Sequence, residues 1–175
     1  MTAPGPTSPG TEGVEVGDVD GTVERVVARA EMRAQRLRHR CTYVLVLDAD
    51  ERLVVHQRAA WKDVWPSRWD LAFGGVAGVG EDWTEAARRE LREEAGVDAV
   101  LRQAGGGVYD DDEVAVLGRV FVARHDGPFS FPDGEVVASE RVPIARLREV
   151  LDSREWCPDS LALADSALRA LEGRG

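Results

Sequence analysis

The chain has little of several things that would have placed it quickly. It holds two cysteines, Cys41 and Cys157, too few for a disulfide scaffold and too far apart for any short metal-binding spacing. Two reduced thiols are expected, with a single disulfide as the alternative. No apolar run reaches the ~18 residues that a membrane span needs, so no membrane partner is expected. Positive charge is also short: the net charge is −10 at pH 7. A polyanion would be repelled rather than steered in, which argues against a nucleic-acid polymer as partner. A small phosphorylated substrate stays open, because a bound cation and a few local bases can reverse the sign at one pocket. The opening MTAPGPTSPGTEG lacks the basic and apolar regions of a signal peptide, so a cytoplasmic location is expected.

What is present is ordinary globular composition, 43% hydrophobic and 31% charged over 175 residues, enough for one domain with its own core. Residues 1–13 are rich in Pro, Gly, Thr and Ser and read as a disordered tail, leaving 14–175 as a single domain. The expected elements begin with a hairpin turning at Asp20-Gly21 and a short basic helix over Ala30–Leu37. Strands follow over Cys41–Asp48 and Arg52–Arg58, then a tryptophan-rich loop over Ala59–Asp70. LAFGGVAG starts as a strand and breaks into glycines. Trp83–Ala95 reads as a helix capped by Asp82, with Glu85 in capping-box position and Gly96 as its stop. Strands over Val114–Arg124 and Val136–Val142 precede helices over Ile144–Leu151 and Pro158–Leu171. Hairpins mixed with helices, without regular βαβ alternation, imply an α/β fold: a mixed β-sheet with helices on both faces.

The chemistry concentrates between Gly75 and Val97. On the Trp83–Ala95 helix, Glu90, Glu93 and Glu94 stand at i, i+3 and i+4 and form one stripe about 100° wide. Like charges so spaced cost a helix ~0.2–0.5 kcal/mol per pair. Taken alone, such a stripe is more often a solvated acidic face. If the carboxylates converge they need a cation, and hard oxygen donors suit Mg²⁺ or Mn²⁺.

The surrounding pattern decides between these readings. Gly75, five residues, Glu81, seven residues, then Arg89-Glu90-Leu91-Arg92-Glu93-Glu94-Ala95-Gly96-Val97 resembles the Nudix box at every fixed position. Seven specified residues give on the order of one chance match per billion start positions. The resemblance implies an α/β/α sandwich and a magnesium- or manganese-dependent hydrolase that cleaves a diphosphate linkage in a nucleoside diphosphate-type or related small substrate. It further implies Glu90, Glu93 and Glu94 as metal ligands, the Gly75 carbonyl as a further one, and Arg89 as the group that orients a helix carboxylate. Glu81 matches a loop glutamate with a more peripheral role.

Outside the box, His39-Arg40, Gln57-Arg58-Ala59-Ala60-Trp61-Lys62 and Trp65-Pro66-Ser67-Arg68-Trp69 are similar to segments of type I isopentenyl diphosphate isomerase, a Nudix relative. That likeness implies Arg58 and Lys62 as holders of the diphosphate, chemistry that guanidinium and ammonium groups suit. It also implies a role for Asp111 and Glu113 near the metal, with Glu113 a candidate proton acceptor. His39 matches a metal-binding position there. The isomerase's catalytic cysteine and metal-binding histidine are replaced here by Gly74 and Val76, so hydrolysis is expected in place of isomerisation. An isomerase-like enzyme and a nucleotide-binding domain without turnover remain the alternatives. The oligomeric state is left open, a homodimer included.

Overall fold

The Asp20-Gly21 turn closes a hairpin as expected: Gly21 takes φ +89° and donates its N–H to the Asp18 carbonyl, while Asp20 Oδ1 accepts from Thr22 N. Its strands are β1 (Gly13–Gly17) and β2 (Val23–Ala28), paired antiparallel. This computed structural model describes residues 10–173. The expected tail over residues 1–13 therefore lies mostly outside the described residues. Its last four residues are ordered, however. Gly10 and Glu12 accept hydrogen bonds from Ala30 and Arg29, and Gly13 opens β1.

The helix α1 (Arg29–Ala34) ends three residues before the sequence pattern does, because Arg36 adopts a left-handed φ of +51° that no helix can continue. β3 (His39–Leu47) and β4 (Arg52–Arg58) follow. Asp48, expected as a strand residue, instead builds the turn between them by accepting from Asp50 N and Arg52 N. β5 (Trp69–Asp70) is a two-residue strand against β4. The helix α2 (Trp83–Ala95) has the bounds that its caps dictate. Asp82 Oδ1 accepts from Thr84 N and Glu85 N, and Gly96 closes the helix at φ +65°. A cap of the Asp82 kind contributes about 1 kcal/mol.

β6 (Arg102–Asp110) was not expected. Three of its nine residues are glycines, which propensity counts against a strand. The ladder needs one of them: Gly106 sits at φ +145°, and a Cβ there would come within 2.4 Å of the Gly118 carbonyl oxygen on the neighbouring strand. β7 (Ala115–Arg124) and β8 (Val136–Pro143) complete the strands. A 3-10 turn (Ile144–Arg146) leads into α3 (Leu147–Leu151), and α4 (Pro158–Glu172) closes the chain.

The eight strands form one mixed sheet. β3 and β7 run parallel at its centre, from His39 opposite Val116 to Leu47 opposite Arg124, and β6 lies antiparallel outside β7. β4 pairs with β8 and meets β3 only at Leu47 and Leu53. On the free side of β3 the chain after Leu71 makes isolated bridges, Phe73 to Val44 and Val76 to Cys41. Alternation along β3 sends Cys41, Tyr43, Leu45 and Leu47 to one face and Val44 and Val46 to the other. α4 covers the first face through Leu163, Ala164, Leu168 and Leu171. α2 covers the second through Ala87, Leu91 and Ala95, packed with Phe73, Phe121 and Ala123. Burying one side chain such as Leu91 stabilises the fold by roughly 1.5–3 kcal/mol. The result is the helix–sheet–helix sandwich that the box implied. Both cysteines are free and buried, and no described helix is long and apolar enough to cross a membrane.

Candidate active site

Two adjacent glycines bring the main chain against the acidic edge of α2. Gly74 takes φ +155°, and a Cβ there would lie 1.9 Å from the Thr42 carbonyl oxygen, so this backbone admits no side chain. Its N–H donates to Glu94 Oε2 at 2.9 Å. At Gly75 a Cβ would come within 2.9 Å of the Glu90 carboxyl carbon. Glycine thus lets that carboxylate lie flat on the main chain. The Gly75 carbonyl accepts from Thr42 N at 2.9 Å, which leaves one of its two lone pairs free.

Arg89 joins the carboxylates. Its Nε and Nη2 donate to the two oxygens of Glu81, each at 2.9 Å. Nη1 donates to Glu90 Oε1 at 2.7 Å and Glu93 Oε2 at 3.2 Å, and Nη2 also reaches the Val76 carbonyl at 3.2 Å. All five guanidinium N–H donors are engaged. Glu81 receives a further bond from Gly78 N at 2.7 Å, so it anchors Arg89 to the glycine loop rather than lying at the periphery. Arg89 and Gly78 together hold its carboxyl below the usual carboxylate range.

The three helix glutamates differ in setting. Glu93 is exposed. Burial pushes the Glu90 carboxyl up, against the pull of Arg89. Burial and then the charge of Glu90 push Glu94 well above the usual range. Two carboxylates pushed up by burial and by neighbouring negative charge, Glu93 beside Glu90 and Glu90 beside Glu94, mark a place short of positive charge. Among the described residues no three acidic, histidine or cysteine side chains already enclose an ion-sized space: Glu90 and Glu93 turn to Arg89, and Glu94 turns to Gly74. The donors themselves, carboxylate oxygens beside a carbonyl with a free lone pair, are of the kind a hard divalent cation takes.

These groups face a cleft of about 570 Å³. Lys62, expected from sequence, lines it and pairs with Glu135 of the opposite wall. Arg29 and Asp133 also line it. Sequence reading passed over Arg29, Asp133 and Glu135, which sit in segments without a motif. Arg58 does not reach the cleft. It donates to the Val64 carbonyl through Nε and Nη2 and lines an adjoining chamber with Tyr43, Asp70 and Asp159. Glu113 is exposed, its N–H held by Asp111 Oδ1, and it lines a neighbouring depression with Arg33 and with Arg29, which that depression shares with the cleft. Asp111 itself shapes that turn, accepting from Glu113 N, Val114 N and the Tyr109 hydroxyl. The run of acids before β7 is thus turn chemistry that the structure does not bring to the α2 carboxylates.

None of the three histidines lines the carboxylate cleft. His39 Nδ1 meets the Leu37 carbonyl, His56 stacks on Phe73 at 4.4 Å, and His125 meets the Pro128 carbonyl. Of the loop tryptophans, Trp61 is largely exposed and Trp69 packs on Trp156.

The NUDIX domain family model matches residues 37–160 of the chain. The uncharacterized Nudix hydrolase YfcD of Salmonella typhi is 36% identical over 152 residues, covering 86% of this chain and 82% of that protein. Among solved structures, DR0079 from Deinococcus radiodurans superposes with a TM-score of 0.74 at 20% identity, over 91% of this chain and 99% of that one. The NUDIX domain of Shewanella oneidensis NrtR, solved with ADP ribose, gives 0.63 at 16% identity over 83% and 99%. This chain belongs to the Nudix hydrolase family, and it is an enzyme of the hydrolase class. The likeness to the isomerase rests on the sequence segments alone.

Proposed function

We propose that the enzyme is a divalent-metal-dependent hydrolase that cleaves a diphosphate linkage in a small, nucleotide-like substrate by water attack at phosphorus. One observation carries the reading: Glu90 and Glu93, organised by Arg89, and Glu94, held by the Gly74 N–H, open onto a cleft that also holds the ammonium group of Lys62. Glu90, Glu93, Glu94 and the Gly75 carbonyl would hold Mg²⁺ or Mn²⁺. Such an ion, when bound, polarises a phosphoryl oxygen and makes water more acidic. Arg89 fixes the direction of Glu90 and Glu93 and, with every donor engaged, spends none on substrate. Gly74 N–H fixes Glu94. Lys62 supplies the positive charge that meets a phosphate, and Glu93, whose Oε1 is free of Arg89, accepts the proton of the attacking water. ADP ribose, bound by the Shewanella domain, is itself a nucleoside diphosphate joined to a sugar, which favours the same substrate class here.

The backbone at Gly74 argues against isomerase chemistry, since a catalytic thiol there would collide with Thr42. A panel of nucleoside diphosphates, triphosphates and nucleotide sugars, assayed with Mg²⁺, with Mn²⁺ and with chelator, tests the proposal. Release of phosphate or nucleoside monophosphate should require the cation. Equal release in chelator, or none from any compound, would overturn it.

A further inference from the structure

Beside the carboxylate cleft lies a deeper chamber that shares Lys62 and the Gly75–Val76 main chain with it. Its walls come from one face of β3 and β7, the first turn of α4 and the loop after β4. Four of the side chains around it each hold a buried polar atom that no described protein group meets: Nε2 of His39, Oγ1 of Thr42, Nε1 of Trp65 and Oδ1 of Asp159. His39 is 2% exposed.

The roles of these atoms follow from their partners' occupancy. His39 Nδ1 lies 2.9 Å from the Leu37 carbonyl, a contact that only an N–H can make. Burial draws this imidazole down to about 4, so at neutral pH it is uncharged and Nε2 presents a lone pair. Asp159 Oδ2 accepts from the Tyr43 hydroxyl at 2.8 Å, which leaves Oδ1 as a further polar contact. The indole N–H of Trp65 can only donate. Buried polar atoms without partners are uncommon in native proteins, and each calls for a cause. Four around one space, with both donor and acceptor character, describe a lining made for a hydrogen-bonding occupant.

Size narrows the occupant. The chamber offers about 80 Å³, near half of the roughly 150 Å³ that takes up a benzene ring. A nucleobase or sugar ring is too large. A hydrocarbon of the right size would leave all four polar atoms unmet. A chain of a few heavy atoms carrying hydroxyls fits, because each hydroxyl both donates and accepts.

We infer that this chamber is the specificity pocket of the enzyme and receives a short hydroxylated alkyl group, of glycerol size, esterified to the diphosphate in the carboxylate cleft. The inference rests on the diphosphate-hydrolase reading and names the group that reading leaves open. His39, Trp65 and Asp159 act here as selectivity residues, contacting the alcohol end of the substrate and not the phosphorus.

The test uses two diphosphate monoesters of equal chain length, glyceryl and n-propyl, with their methylene-bridged, non-hydrolysable analogues. Calorimetry on the full chain with Mg²⁺ reads analogue binding, and steady-state assays read kcat/KM for the esters. The glyceryl compound should win by at least about ten-fold in both, as expected where a site hydrogen-bonds a hydroxyl that its competitor lacks. His39→Leu should bring that ratio to within about two-fold of unity. Trp65→Phe, which keeps a ring and removes the N–H, is the second variant should the first fail to fold, and it should lower the ratio in the same direction. Equal treatment of the two compounds by the wild type, or a preference for propyl, overturns the pocket while leaving the hydrolase reading intact. So does failure to bind either analogue in an enzyme that cleaves nucleoside diphosphates, since it means that water alone fills the space. Cleavage of no diphosphate at all sinks the hydrolase reading, and the pocket with it.

Discussion

Replacing Arg89 with lysine keeps the charge and removes the fork. The guanidinium reaches Glu81 on one side, Glu90 and Glu93 on another, and the Val76 carbonyl behind. An ammonium group has three N–H bonds radiating from one nitrogen and cannot span those directions. It would keep the contact to one carboxylate and release the others. Glu81 and Glu90 side chains are 19% and 14% exposed, so the lost bonds are partly buried ones. Hydrogen bonds to charged groups contribute about 1.5–3 kcal/mol each. Arg89 is itself one-third exposed, so solvent screening favours the lower end. A net loss of about 2–3 kcal/mol is expected, which for a chain of this size lowers Tm by about 4–12 °C. Released carboxylates also lose their aim, and misplacement by an ångström costs on the order of 100-fold in kcat. Thermal melts and steady-state kinetics on Arg89→Lys read both quantities. A Tm within about 1 °C of wild type together with kcat within two-fold would refute the reasoning, because Arg89 would then be an ordinary surface ion pair.

Glu93→Gln and Glu94→Gln should each lower kcat by at least ~100-fold at saturating Mg²⁺ with the fold retained in circular dichroism, and near-normal turnover in both would remove the metal assignment. Lys62→Ala should raise KM more than it lowers kcat, since it meets phosphate in ground state and transition state alike; an unchanged KM would return Lys62 to the role of partner for Glu135. Glu113→Gln should leave kcat within about two-fold of wild type, given its place outside the cleft lining, and a loss of 100-fold would show that the turn before β7 moves onto the cleft during turnover. Gly74→Ala should destabilise by about 1–3 kcal/mol in urea titration, because the added methyl meets the Thr42 carbonyl; a neutral result would mean the loop shifts freely.

Much of this site could be read from residue order because α2 is a local object. Cap, heptad-like spacing and stop signal all lie within Asp82–Gly96, so helix bounds and the shared stripe of Glu90, Glu93 and Glu94 follow from short-range geometry alone. The central strands were legible for a similar reason, their β-branched runs being buried on both faces. β6 was not, since Gly106 serves its close approach to Gly118, a contact that only the folded pair reveals. Glu81 was undervalued because its partnership with Arg89 spans a loop and a helix. At Glu113 a run of four acids next to a strand looks like a site, whereas Asp111 spends Oδ1 on the backbone of its own turn and Oδ2 on the Tyr109 hydroxyl. The chamber of His39, Trp65 and Asp159 joins residues from three distant stretches, and no spacing rule could have assembled it.

The same guanidinium that spans Glu81, Glu90 and Val76 has a mechanical consequence. Loop and helix are tied both there and at the Gly74 N–H to Glu94 bond, so the glycine loop cannot swing without dragging the carboxylates, and the carboxylates cannot reorient without loosening the loop. Motion of the two is one event rather than two. Heat, denaturant or substitution that frees Gly74–Glu81 should therefore disarm the helix at the same moment, and amide exchange at Gly74 and Gly78, whose N–H groups donate to Glu94 and Glu81, becomes a direct gauge of whether the acidic edge of α2 is in working order.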